Sequence, residues 1–318
     1  MLRARSGGVR PSFKSRYARR AAAAAPLEGL SAMTPNSDFL SDLLRPERLT
    51  AVVDIGANPI TTDGDPPYRP MLVGRLCTLV GFEPQPDALA ALNARKIDLE
   101  TYLPYAVGDG STGILKLCLA SGKSSLLTPE PRVLACFPHF SEFGEVVREI
   151  PVETRALDGI AEIGALDFLK IDIQGGELVA FRNGSARLAG AVVVHTEVSF
   201  VPFYKNQPAF GDIDLALRAL GFLPHMFASL NKRLILPLQR DGDRYAAINQ
   251  ILEADVVYVR DFTQPDSMSA EQLKHLALVA RHCHQSYDLA AKCIHHLALR
   301  NSAPAGAVEL YLNAIQGR

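Results

Sequence analysis

The hydrophobic positions of this chain fall into short, unbroken runs that are separated by longer segments with helical spacing. The first run, residues 51–55, reads A-V-V-D-I without polar alternation, which predicts a strand buried on both faces. It ends in Gly56-Ala57-Asn58, whose small side chains leave room for a ligand near the backbone. Because ligands of open α/β sheets bind at the carboxyl ends of the strands, we expect a binding site at this turn.

Six further apolar runs follow along the chain. They predict strands over residues 77–82, 101–107, 166–173, 191–198, 222–227 and 255–259. Helical spacing predicts helices over residues 86–95, 177–188 and 210–220, with a short leading helix over 37–45 that is capped by Ser37. This alternation predicts an α/β fold with a doubly wound, seven-stranded, mostly parallel sheet.

Both ends of the chain differ from this pattern. Residues 1–36 carry six arginines and one lysine before the first acid, Glu28, which indicates a disordered basic segment. A transit peptide, a nucleic-acid arm and a true start at Met33 are the alternatives. Residues 269–318 carry leucines at helical spacing and predict a small C-terminal helical extension. We therefore expect the α/β domain to span residues 37–268.

Composition narrows the class of protein. The net charge of −1 gives no argument for nucleic acid or an anionic membrane as a partner, and no apolar run approaches the ~20 residues of a membrane helix. Five cysteines without C-x-x-C spacing indicate reduced thiols and a cytoplasmic location. The histidines and cysteines of residues 282–296 match no zinc template. The G-K-S-S sequence of residues 122–125 lacks the first glycine of a phosphate loop.

The turn after the first strand favours a cationic cofactor. It lacks the second and third glycines of the dinucleotide fingerprint, which a pyrophosphate needs. A carboxylate at Asp54 suits the sulfonium and ammonium of S-adenosylmethionine better than it suits NAD. We therefore predict S-adenosylmethionine as the cofactor, bound by Asp54, Gly56 and Asn58.

Two further acids follow neighbouring strands. Glu83 comes 29 residues after Asp54 and ends the second strand, where an acid accepts hydrogen bonds from both ribose hydroxyls. Capping of the next helix is the alternative. Asp109 follows the third strand, where it would face the adenine amino group, although an Asp-Gly turn explains it equally well. We predict both acids as cofactor residues.

Charged residues near the ends of the next two strands are the candidates for chemistry. Lys170 and Asp172 lie in an apolar strand, where burial without a partner is costly. His195 and Glu197 reach the same edge from the following strand. We predict Asp172, Glu197 and His195 as catalytic residues and Lys170 and Glu177 as substrate contacts. Core packing of His195 and a helix-dipole role for Glu177 are the alternatives.

Three motifs together resemble the FkbM-type S-adenosylmethionine-dependent methyltransferases. They are V-V-D-I-G-A-N at residues 52–58, F-E-P at 82–84 and L-K-I-D-I-Q-G-G-E at 169–177. The resemblance covers about residues 50–260. It implies a class I methyltransferase, Rossmann-like fold and methyl transfer usually to an oxygen, frequently a sugar hydroxyl on a glycan or natural product. The proline-rich residues 59–70 depart from the short glycine-containing turn that this family often has.

Methyl transfer from a sulfonium is an in-line displacement, which needs a placed acceptor oxygen and a group that accepts its proton. We expect Asp172, with Glu197 or His195, to orient or deprotonate that hydroxyl without a metal; a metal shared by Asp172 and Glu197 is the alternative. The expected partner is a small-molecule or glycan acceptor, with no nucleic acid and no integral membrane segment. The rival functions are a non-catalytic ligand-binding or scaffold protein that retains the fold, and a nicotinamide oxidoreductase.

Overall fold

The structure is a computed structural model that describes residues 38–58, 64–240, 243 and 246–317. The predicted basic segment and residues 59–63 of the proline-rich loop lie outside the described residues. The leading helix begins with Asp38 as its N-cap, whose carboxylate accepts the Ser41 N–H at 2.8 Å, and not with Ser37, which is also outside the described residues.

Ten strands and eleven α-helices make up the described chain. The strands are β1 (Thr50–Ile55), β2 (Cys77–Phe82), β3 (Glu100–Leu103), β4 (Ala106–Gly108), β5 (Thr112–Cys118), β6 (Val146–Ala156), β7 (Phe168–Ile171), β8 (Val193–Ser199), β9 (Phe222–Arg233) and β10 (Gln250–Arg260). The helices are α1 (Phe39–Leu44), α2 (Arg69–Val73), α3 (Pro86–Arg95), α4 (Pro131–Leu134), α5 (Phe140–Phe143), α6 (Glu177–Arg182), α7 (Ser185–Gly190), α8 (Phe210–Ala219), α9 (Ala270–His284), α10 (Tyr287–Leu299) and α11 (Ala307–Ile315).

Seven strands form the main sheet in the order β3-β2-β1-β7-β8-β10-β9. All are parallel except β10, which runs antiparallel to both of its neighbours. The predicted seven-stranded, mostly parallel sheet is therefore confirmed. The order reverses between β1 and β7, and the register places Asp54 beside Lys170 and Lys170 beside His195.

Two predicted elements are divided in the structure. The predicted third strand, residues 101–107, is interrupted at Pro104, which has no N–H to donate to a ladder. Its second half, β4, leaves the main sheet and pairs with β6 in a separate three-stranded sheet that also contains β5. The predicted helix of residues 177–188 is divided into α6 and α7 at Asn183 and Gly184. A Cβ at Gly184 would lie 2.6 Å from the Leu157 side chain, so the close packing at this break requires glycine.

The C-terminal helices cover one face of the main sheet. Helix α2 is only five residues long, and α9 packs where a longer helix after β1 would lie. The side chains that α9 buries share one core with those of the central strands: Leu273, Leu276, Ala277, Val279 and Ala280 from the helix, and Val52, Leu79, Phe168, Val193 and Val257 from the strands. His275 of α9 is fully buried, and its Nδ1 lies 3.0 Å from the Thr50 hydroxyl of β1. The predicted helical extension is thus present and is continuous with the core of the sheet.

Helices α6, α7 and α8 cover the opposite face, which completes the doubly wound arrangement. Among the residues that the structure describes, no helix has both the length and the apolar character that are needed to cross a bilayer.

Candidate functional site

A cavity at the carboxyl edge of the main sheet gathers most of the predicted site residues. Its volume is about 1410 Å³, and the loops after β1, β2 and β7 form much of its wall. Pockets for single small ligands are usually about 300–1,000 Å³, so there is room for a cofactor and an acceptor together. The predicted residues that line it are Asp54, Gly56, Asn58, Glu83, Lys170, Asp172, His195 and Glu197.

Gly56 is the point of close contact between the loops after β1 and β7. Its φ is +83°, and a Cβ at this position would lie 2.0 Å from the carbonyl oxygen of Asp172, so only glycine fits. The N–H groups of Gly56 and Ala57 both donate to the carbonyl oxygen of Phe82, at 3.0 and 3.1 Å. The three loops therefore form one continuous floor under the cavity.

Asp54 is paired within the protein. Only 2% of its surface is exposed. The Tyr68 hydroxyl donates to Oδ2 of Asp54 at 2.5 Å, and the Lys170 ammonium lies 3.4 Å from Oδ1. Asp54, which was predicted to bind the cofactor, thus forms an ion pair with Lys170, which was predicted to contact the substrate. Both residues line the cavity.

Glu83 ends β2 at the cavity, as predicted. Its carboxylate accepts the N–H of Gln85 at 2.7 Å. Gln85 is the N-cap of α3, and no side chain caps that helix, so this bond fixes the loop after β2. Burial raises the pKa of Glu83 to about 7, with a smaller contribution from the charge of Asp54. A buried acid at the second strand is therefore available to accept hydrogen bonds from a ligand.

Asp109 is not among the cavity-lining residues. Its exposed carboxylate accepts hydrogen bonds from the N–H and hydroxyl of Ser111, at 2.9 and 2.5 Å. These bonds lower its pKa and correspond to the turn interpretation. After β3 the cavity is lined instead by Tyr105, Ala106 and Val107.

Asp172 and Glu197 lie side by side where β7 and β8 end. The side-chain amide of Gln174 donates to Oδ1 of Asp172 at 2.9 Å and to Oε2 of Glu197 at 2.7 Å. Lys123 is close by and donates to Oε2 of Glu253 at 2.9 Å. Burial, together with the charges of Asp172 and Glu253, raises the pKa of Glu197 well above its usual value of 4.5. Two predicted catalytic acids are thus adjacent.

His195 is buried at the cavity floor. Its Nε2 lies 3.9 Å from Oδ1 of Asp255, and its ring centroid is 5.7 Å from that of His284 at the end of α9. Burial lowers the pKa of His195, against the opposing charge of Asp255. The imidazole is therefore neutral at pH 7.

Glu177 stabilises the loop after β7. Its two carboxylate oxygens accept the N–H groups of Ile173 and Gly175, each at 2.9 Å, and burial raises its pKa to about 7. It is not among the residues that line the cavity. Its placement corresponds to a structural role at the first turn of α6, and of the two predicted substrate contacts only Lys170 reaches the cavity.

Four cavity or near-cavity residues were missed by sequence reasoning: Tyr68, Lys123, Gln174 and Tyr204. The Tyr204 hydroxyl lies 2.8 Å from the carbonyl oxygen of Lys123 and 3.1 Å from Oε1 of Gln174. A signal existed for two of them, because Gln174 lies within the L-K-I-D-I-Q-G-G-E motif and Lys123 is a basic residue between small residues. Tyr68 and Tyr204 come from loops without any periodic pattern.

Three acids at this edge lie close enough together to be candidate metal ligands. One oxygen each of Asp172, Glu177 and Glu197 lies within 4.8 Å of the others. Both oxygens of Glu177 already accept backbone N–H groups, and Gln174 already occupies an oxygen of each of the other two. These hydrogen bonds compete with metal binding, and the absence of a metal stays a prediction.

The strand order, the reversed β10 and the ligand cavity at the carboxyl edge define a class I methyltransferase fold. The sequence model of the methyltransferase FkbM domain matches residues 54–224, which are 171 of the 318 residues. The chain therefore belongs to the FkbM methyltransferase family, as its motifs predicted. This membership supports the prediction that the chain is a methyltransferase that uses S-adenosylmethionine.

Comparisons with other known proteins give more distant similarities. A Thermoplasma acidophilum protein described as a methyltransferase is 12% identical with a TM-score of 0.34, over 67% of this chain and 68% of its own. Magnesium protoporphyrin IX methyltransferase of Synechocystis PCC 6803, solved with S-adenosylmethionine bound, is 11% identical with a TM-score of 0.35, over 70% and 76%. No curated protein matches the chain.

Proposed function

We propose that this protein transfers a methyl group from S-adenosylmethionine to a hydroxyl of a sugar, a glycan or a natural product. The observation that carries the proposal is the pair of acids, Asp172 and Glu197, in a cavity with room for two ligands. The acids lie at the edge where the family's sheet presents its cofactor, so they are in reach of an acceptor beside it.

The residues of the cavity fit the cofactor. Glu83 supplies a buried acid for the ribose hydroxyls, and Tyr105, Ala106 and Val107 supply an apolar wall for the adenine. Because Gly56 has no Cβ, the loop after β1 packs directly against the Asp172 backbone, which leaves the space above this loop for the ligand. In this assignment Asp109 has no contact with the adenine.

When bound, S-adenosylmethionine supplies an electrophilic methyl group. Asp172 orients the acceptor hydroxyl and accepts its proton as the new O–C bond forms and the C–S bond breaks, with the C–S electron pair remaining on sulfur. Glu197 is the second acid beside the reacting oxygen. Burial lowers the pKa of His195, which favours the neutral imidazole, and its Nε2 lies 3.9 Å from Oδ1 of Asp255, too far for a hydrogen bond. In this mechanism His195 lines the cavity beside the two acids.

The acceptor side of the cavity supports a hydroxyl-rich acceptor. Ser229, Asn231 and Arg233 of β9 line it, together with Phe140 and Phe143 of α5. Hydrogen-bonding groups beside an aromatic surface suit a molecule that has both hydroxyls and C–H faces, such as a sugar.

The five cysteines are all free thiols, which supports a reducing, cytoplasmic location.

Cofactor binding is tested by calorimetric titration with S-adenosylhomocysteine and with NAD. We expect micromolar affinity for the first and none for the second. Glu83→Gln should weaken S-adenosylhomocysteine binding about 10- to 100-fold, because hydrogen bonds to an ionised acid contribute about 1.5–3 kcal/mol. Glu309→Gln, at an exposed site on α11, should bind normally. If neither ligand binds the wild-type protein, the scaffold function takes precedence.

The role of Asp172 is tested once a screen of hydroxylated acceptors has given turnover. Asp172→Asn should lower kcat by about 10²–10⁴-fold, the usual contribution of a proton-accepting group, and should leave S-adenosylhomocysteine affinity within about threefold. The exposed Asp98→Asn serves as the matched control. Full turnover in Asp172→Asn would contradict the assignment of this residue as the base.

A further inference from the structure

Gln174 is in direct contact with both acids of the proposed site. One N–H of its amide donates to Asp172 at 2.9 Å and the other to Glu197 at 2.7 Å. Its backbone φ is +55°, and that of the following Gly175 is +100°. This left-handed turn after β7 brings the side chain back over the strand ends, between the two carboxyl groups.

The orientation of this amide is set by its other neighbours. Oε1 of Gln174 lies 3.1 Å from the Tyr204 hydroxyl, and its backbone carbonyl accepts the Ser125 hydroxyl at 2.7 Å. The opposite amide orientation would place Oε1 against two carboxyl groups and lose both hydrogen bonds. Gln174 is itself buried, so water does not replace these partners.

The neighbourhood of Glu197 is crowded with acids. Asp172 and Glu177 each place an oxygen within 4.8 Å of it. Glu253 adds a further negative charge, and the Lys123 ammonium opposes these acids. Lys170 of β7 faces Asp172 as a second cation, and His195 of β8 and the Tyr204 hydroxyl also face the pair. Like charges at such distances repel by several kcal/mol at the effective dielectric of a protein, so a buried group of this kind retains a proton that isolated acids would lose.

We propose that Gln174 is a positioning residue that holds Asp172 and Glu197 together as one acid pair with a single shared proton. The inference rests on the proposed function, because it assigns the pair to the place where the methyl group is transferred. With one proton, the pair presents one negative charge to the acceptor. Glu197 keeps the proton, and Asp172 stays free to accept the proton of the acceptor hydroxyl.

The test compares two ligands that differ at the transferred group. Sinefungin carries an ammonium group where S-adenosylmethionine carries its methyl, whereas S-adenosylhomocysteine carries nothing there. The ratio of their affinities, measured by calorimetry in EDTA between pH 5.5 and 8.5, cancels groups that contact both ligands alike, such as Glu83, and reports the charge around the transferred group. Glu177, whose pKa burial also raises to about 7, contributes to that charge. The shift of the midpoint in the Gln174 and Tyr204 variants therefore assigns the titration to the acid pair. We expect sinefungin to bind more tightly, and its advantage to grow about tenfold as the pH rises and the shared proton leaves.

Gln174→Leu removes both amide donors, which favour the ionised form of the pair. We expect the pH at which the affinity ratio is halfway through its change, its midpoint, to move up by about one unit in this variant. Tyr204→Phe, which loosens the amide without removing it, should move the midpoint in the same direction by less. The matched control is Gln250→Leu, which removes a half-buried amide that donates to the Ile251 carbonyl and is not among the cavity-lining residues; its midpoint should stay within about 0.3 unit.

Thermal unfolding establishes that each variant is folded. If Gln174→Leu does not fold, the wild-type profile and Tyr204→Phe decide the question. A wild-type ratio that does not change with pH overturns the inference, as does a shift in Gln250→Leu as large as in Gln174→Leu. If neither ligand binds, the proposed function itself fails; binding of both with a flat ratio overturns only the acid pair.

Discussion

Replacing Lys170 with methionine should lower the free energy of unfolding by about 3–5 kcal/mol, because it leaves a buried carboxylate without its cation. The carboxylate is that of Asp54, which has Lys170 at 3.4 Å and the Tyr68 hydroxyl at 2.5 Å as its partners. Burial lowers the pKa of Lys170, but the charges of Asp54 and Asp172 outweigh this effect and raise it above its usual 10.5. The contribution of the Lys170 charge is therefore fully present at pH 7 and is lost only as the pH rises above 10.5 and through the raised pKa of Lys170.

Urea unfolding followed by circular dichroism at pH 7 measures this effect. Asp54→Asn should reduce the cost of the Lys170 substitution when the two are combined, because the stranded charge is then absent. Lys292→Met, at an exposed site on α10, should change stability by less than about 0.5 kcal/mol. A cost below about 1 kcal/mol for Lys170→Met would show that Asp54 does not depend on this ammonium.

Deleting residues 269–318 should abolish folding. Helices α9 and α10 bury large apolar side chains in the core that also contains the central strands, and α10 contacts α9. Leu276, Ile294 and Leu297 of these helices have no exposed surface. Each such side chain contributes about 1.5–3 kcal/mol, and a domain has only about 5–15 kcal/mol of net stability. The loss of both helices therefore exceeds what the rest of the chain can supply.

The deletion is tested by expression and by the cooperativity of thermal unfolding. Deleting residues 301–318 removes only α11, whose buried side chains are Ala307 and Tyr311, and should give a folded protein with a lower Tm. A soluble protein with a cooperative transition after the longer deletion would instead support an independent domain over residues 37–268.

The sheet was predictable because its signal is strong and local. Central parallel strands are buried on both faces, so residues 51–55 and 191–198 appear as continuous apolar runs. The division of the third strand was less visible, since Pro104 lies within an otherwise apolar stretch. The packing of α9 on the sheet could not be inferred, because helical spacing shows that a helix has a buried face but not which surface it covers.

The site was predictable where an acid ends a strand. Glu83, Asp172 and Glu197 reach the cavity because the carboxyl ends of parallel strands meet at one edge. The partners of other acids at this edge were not predictable. Tyr68 donates to Asp54 and Lys123 donates to Glu253, and both come from segments whose path depends on the whole fold. For Asp109 the sequence signal is ambiguous, because an Asp-Gly pair after a strand occurs in turns as well as in ligand sites. In the structure its carboxylate accepts hydrogen bonds from Ser111 within the turn.

The position of α9 also determines the order in which the protein can fold during synthesis. Thr50 of β1 meets His275 across 225 positions of the chain, and Glu47 meets Glu271 across 224. The first strand therefore leaves the ribosome long before the helix that covers it. Helices α1 and α2 contribute to the same core, so this apolar face of the growing sheet is covered only in part until α9 is made. Such long-range contacts slow folding and expose the nascent chain to aggregation. The protein should accordingly depend on chaperones that shield apolar surface until residues 270–297 have been made.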